Sequence, residues 1–65
     1  MNNWKEEIRD ILVWKNKVSI SFQNLPDFKS VYYKDRDSGS EISTGGKNWH
    51  AVYVKVVRKL MEEKY

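Results

Sequence analysis

Apolar residues along this chain recur first at a helical interval and then at every second position. Trp4, Ile8, Ile11 and Leu12 share one side of a 3.6-residue helix, with Glu6, Arg9, Asp10 and Val13 on the other. Asn2 or Asn3 can cap this helix, and Glu6 and Glu7 fall in the first turn, where the helix dipole favours acids. The spacing predicts a helix over about residues 3–14, with Trp14 beside the apolar stripe. Asn16 is a suitable stop, since asparagine tolerates the left-handed conformation that ends helices.

The period then changes. Val18, Ile20 and Phe22 alternate with Lys17, Ser19, Ser21 and Gln23, the pattern of a strand with one greasy and one wet face. Asn24-Leu25-Pro26-Asp27 is turn chemistry. A second strand follows over about residues 29–36, with Val31 and Tyr33 on one face and Tyr32 and Lys34 on the other, and the short connection makes the pair an antiparallel hairpin. Asp37-Ser38-Gly39-Ser40 forms a second turn, and Glu41 to Thr44 a short third strand with Ile42 inward, which Gly45-Gly46 is expected to break.

Asn48 can cap a closing helix over about residues 49–63. Trp49, Val52, Tyr53, Val56, Val57 and Leu60 form its apolar face, with Ala51, Lys55, Arg58, Lys59 and Glu62 opposite. Val52, Val54 and Val56 also alternate, so residues 50–57 fit a strand as well. The length of the pattern, running on through Leu60, Met61, Glu62 and Glu63, decides for helix.

These elements predict an α+β fold of one domain, residues 1–65, in the order α-β-β-(β)-α: a small antiparallel sheet of two or three strands flanked by an N-terminal and a C-terminal helix. Val18, Ile20, Phe22, Val31, Val56 and Leu60 should be buried together, leaving Lys17, Ser19, Ser21, Tyr32 and Lys34 on an open sheet face. A core this small usually needs outside help. With no cysteine, disulfides and thiolate zinc sites are excluded, which leaves aromatic bulk or a second copy of the chain as a homodimer. Met1–Asp10 is too polar for a secretory leader and no apolar run is long enough to span a membrane, so a soluble cytoplasmic protein is expected.

Charge changes the picture. Residues 1–46 hold seven basic and seven acidic side chains. From Lys47 on, Lys47, Lys55, Arg58, Lys59 and Lys64 face only Glu62 and Glu63, so 5 − 2 = +3 accounts for the whole net charge. Lys55, Arg58 and Lys59 share one helix face and Lys47 precedes that helix, an arrangement suited to phosphates. A solvated helix face with cations complementing the dipole is the plain alternative. Tyr32 with Lys34 and Lys17 would add an aromatic-plus-basic patch on the open sheet face, as single-strand binders use; an exposed tyrosine shielding the strand backbone is the alternative there.

Other candidates carry less. Ser43-Thr44-Gly45-Gly46-Lys47-Asn48 lacks the first glycine and final hydroxyl of the nucleotide-binding loop and is read as a plain link. Asp35, Asp37 and Glu41 around the second turn have Arg36 among them and are read as turn residues, not metal ligands. His50 has no nucleophile to activate and is expected to pack. No catalytic constellation, cofactor or metal site is expected, and the protein is read as non-enzymatic.

The order α-β-β-β-α with Gly45-Gly46-Lys47 opening the last helix is similar to double-stranded-RNA-binding domains. That resemblance implies phosphate contacts at this helix start, where only Lys47 fits; Asn48, Trp49 and His50 replace the family's successive lysines. From the charge distribution, the first expectation is a small basic protein that binds nucleic acid through the C-terminal helix. The second is a small inhibitor or adaptor, of the kind phages and mobile elements direct against a host protein such as a defence system. Trp14, Tyr32 and Trp49 would be its exposed aromatic anchors.

Overall fold

The computed structural model describes residues 3–63 and has the elements α1 (Trp4–Trp14), β1 (Lys17–Leu25), β2 (Phe28–Asp35), β3 (Glu41–Gly46) and α2 (Trp49–Glu62). The fold is α+β, in the order α-β-β-β-α. Asn3 caps α1 by accepting from the Glu6 amide at 3.3 Å, and Asn48 caps α2 by accepting from the Ala51 amide at 2.8 Å. Asn16 ends the first helical segment with φ of 62°. The β2–β3 connection is closed by the Asp35 carboxylate on the Ser38 amide and by Gly39 at φ 77°.

The sheet is antiparallel in the order β1-β2-β3. Three strands between two helices make α1 and α2 run in the same direction. Accordingly Trp4 near the start of α1 meets His50 and Tyr53 of α2, while Lys17, just past α1, bonds Glu63, just past α2. Both helices lie on one face of the sheet. Ile8 and Leu12 of α1, Val31 and Tyr33 of β2, and Val52, Val56 and Leu60 of α2 form the core between the layers, with Ile20, Phe22, Ile42, Trp49 and Tyr53 packed around it. No helix among the described residues is long and apolar enough to cross a membrane.

Two expectations are corrected. Val18 does not join the core. It pairs with Lys34 and Ser21 pairs with Tyr32, so Ser19 and Ile20 together oppose Tyr33. This is a β-bulge, with Ser19 at φ 57°. One extra residue reverses the alternation, because side chains switch faces at every position. After the bulge Ile20 and Phe22 point inward as the period demands. Before it, Val18 is turned outward and 37% exposed, and Lys17 is turned inward and 5% exposed.

The second correction concerns Gly45-Gly46, which continue β3 instead of breaking it, paired with Ser30 and Lys29. Each is a site of close approach. The Phe28 ring lies where a side chain on Gly45 would stand, and a Cβ on Gly46 would come within 3.0 Å of the Ala51 Cβ, at the start of α2.

Candidate nucleic-acid interface

The basic residues chosen from the sequence fall into two groups. Lys47, Lys55, Arg58 and Lys59 belong together, on α2 and the segment leading into it, and all four are exposed. Their position follows from the helix: Val52, Val56 and Leu60 are buried, which sets Arg58 opposite the sheet and Lys55 and Lys59 on the flank of the helix. The Lys55 ammonium donates to the Gly45 carbonyl at 2.7 Å, so it is held beside the free edge of β3. Glu62, four residues after Arg58, makes no ion pair with it; among the described residues the ion pairs are those of Lys17. The first turn of α2 carries no carboxylate. At 1.5 Å per residue, Lys55 to Lys59 cover about 6 Å of helix, and Lys47 lies two residues before α2 begins.

Lys17, Tyr32 and Lys34 are not brought together as an aromatic-plus-basic patch. Lys17 is on the inner face, where its ammonium donates to Asp35 Oδ1 at 2.7 Å and to Glu63 Oε2 at 2.9 Å. Burial works against its charge, but the hydrogen bonds to Asp35 and Glu63 and their charges outweigh that and hold its pKa above the ordinary lysine value. The same hydrogen bond from Lys17, helped by Ser38, holds the Asp35 carboxyl well below the usual carboxylate range. This ion triad fixes the beginning of β1 to the ends of β2 and α2. Beneath it the Tyr33 hydroxyl and Thr44 Oγ1 are buried, and burial pushes the Tyr33 phenol up.

Tyr32 and Lys34 do lie on the open face. Tyr32 is half-buried and its hydroxyl donates to Glu41 Oε1 at 2.8 Å, a bond that raises its pKa. Lys34 is the cross-strand partner of Glu41. A carboxylate thus stands beside both residues, and the face is a poor electrostatic match for a phosphate chain.

The three aromatics expected as anchors also separate. Trp49 is half-buried and meets Phe22 edge to face at 5.5 Å, so it extends the core. Tyr32 is tied to Glu41. Trp14 alone of the three is broadly exposed, at 75%, on the rim of a cleft of about 710 Å³ that also has Lys17, Asp35, Asp37 and Glu63 in its wall. His50 packs edgewise on Trp4 at 4.7 Å. Sequence reasoning missed the ion triad: no residue type marks the bulge, since serine and not glycine occupies its left-handed position. In comparisons with known proteins the chain matches no family model, no curated protein and no solved structure.

Proposed function

We propose that this is a small, non-enzymatic, cytoplasmic protein that binds nucleic acid by its phosphates through Lys55, Arg58 and Lys59 of α2, with Lys47 at the end of the row. The observation that carries the proposal is the grouping of these four exposed cations with no carboxylate paired to any of them among the described residues. Phosphate contacts carry no sequence information directly, so binding through them is expected to be weakly sequence-specific. The test is fluorescence anisotropy of labelled duplex and single-stranded oligonucleotides at low salt. Wild type should bind, and the variant carrying Lys55→Ala, Arg58→Ala and Lys59→Ala should bind much more weakly, with its circular dichroism unchanged because all three side chains are exposed. Absence of binding by wild type would overturn the proposal.

One observation favours a second function, an inhibitor or adaptor that docks on a protein: Trp14, the exposed indole at the cleft rim. Tryptophan is enriched among the residues that anchor protein interfaces. A pull-down from the native host in which Trp14→Ala abolishes a specific partner, with nucleic-acid binding absent, would put this function first.

A further inference from the structure

The face of the sheet away from the helices is uncovered, and its chemistry differs from that of the rest of the molecule. Reading across the strands from the cross-strand pairs, its rows are Val18–Lys34–Glu41, then Ser21–Tyr32–Ser43, then Gln23–Ser30–Gly45, and finally Leu25–Phe28. It has one cation and one anion, while the chain as a whole is +3. Its exposed apolar side chains are at opposite ends: Val18, 37% exposed, at one, and Leu25 and Phe28, each 45% exposed, at the other.

We infer that two copies of this chain associate back to back through this face. The axis we assign lies in the plane of contact, crossing the strands between the Tyr32 and Ser30 rows. A half-turn about it lays β1 over β1 and inverts the ends. Val18 of each copy then meets Leu25 of the other, and each Tyr32 ring, drawn toward Glu41, meets the Phe28 ring that lies over Gly45. Glu41 comes opposite Lys47, one step past the end of β3, so opposite charges meet at the seam. Every contact occurs twice, as a two-fold interface requires. The other in-plane axis, along the strands, would lay Val18 on Glu41 and is disfavoured.

Both sheet edges direct association to the face. The edge of β1 is bent by the bulge at Ser19, and that of β3 is only six residues long, with the Lys55 ammonium on its Gly45 carbonyl. Three strands of up to nine residues offer a footprint of about 30 by 15 Å, or about 900 Å² for the two copies together. That is below the ~1,200 Å² of a stable complex, so the dimer is a weak, reversible one. Lys55, Arg58 and Lys59 stay on the far layers, and the association needs no nucleic acid.

The test is sedimentation equilibrium and native mass spectrometry of the whole chain over a concentration series, without nucleic acid. Wild type should pass from 7.8 kDa towards twice that mass as concentration rises. Val18→Glu and Leu25→Lys should each remain monomeric, since each sets a charge against an apolar side chain twice over. Both positions are exposed, and circular dichroism should show both variants folded. Mixed, they should form a heterodimer, because one contact becomes Glu on Lys and the other remains Val on Leu. A wild type that stays at 7.8 kDa at the highest concentration would overturn the proposal. So would variants that dimerise as wild type does, which would place association elsewhere, or a mixture that associates no better than its components.

Discussion

At the scale of single residues, Ser19 and Lys17 do most to set this structure apart from its own sequence pattern. A serine at φ 57° is in a region that costs an L-residue about 1–2 kcal/mol, and glycine adopts it freely. Ser19→Gly is therefore expected to stabilise the fold by about 0.5–1 kcal/mol in chemical denaturation. In a regular strand the same change would destabilise by a similar amount, so the sign of the effect reports on the bulge. Lys17 lies on the inner face because of that bulge, and its place there depends on two carboxylates. Removing the ammonium leaves Asp35 and Glu63 facing each other; both are partly exposed and can recover some hydration. Lys17→Met should thus cost about 1–3 kcal/mol, less than the loss of a partner from a fully buried pair.

The pH dependence has a definite sign. Asp35 has its folded pKa below the ordinary value of 3.8, so its contribution is present above about pH 4 and is lost as pH falls through the folded value. Lys17 has its folded pKa above 10.5, so its contribution is present below that and is lost as pH rises through the folded value. Urea melts should accordingly show stability falling on acidification below pH 4 in wild type, with a shallower fall in Lys17→Met.

At the scale of elements, what could be read in advance was whatever rests on local chemistry. Asn3 and Asn48 marked the helix starts because a side-chain oxygen on an orphan amide is a contact within three residues. Asn16 marked a stop for a similarly local reason. The length of the α2 pattern outweighed the alternation of Val52, Val54 and Val56, and the segment is helical. Misjudged elements turned on distant partners. Gly45 and Gly46 looked like a break because glycine's freedom is visible in a sequence, whereas the Phe28 ring and Ala51 that need the space are visible only in three dimensions. The reversal of Val18 and Lys17 was hidden because register is a choice made between strands. Phe22, expected in the centre of the core, is at its margin, half-buried between Trp49 and the Lys5 ammonium 5.3 Å above its ring. Phe22→Ala should lower stability by about 2–3 kcal/mol, at or below the foot of the range for a fully buried aromatic, as read from thermal and urea melts.

At the scale of the whole molecule, packing sorts the charges that the sequence had only counted. The excess after Gly46 could be read from the chain, and α2 turns its share outward together with Lys47. Lys17 and Lys34 could not be assigned in this way. One is neutralised inside by Asp35 and Glu63, the other is set beside Glu41, and neither partner is near it in sequence. What remains among the described residues is a molecule with four exposed cations on α2 and just before it, and a sheet face close to neutral on the other side. The measurement that bears most directly on phosphate binding by this row is the salt dependence of duplex affinity. Four contacts should release counterions with a slope of about −3.6 in log K against log salt, and replacing Lys55, Arg58 and Lys59 by alanine should bring the slope to about −1. A wild-type slope near zero, or a slope unchanged in the triple variant, would contradict phosphate binding through α2.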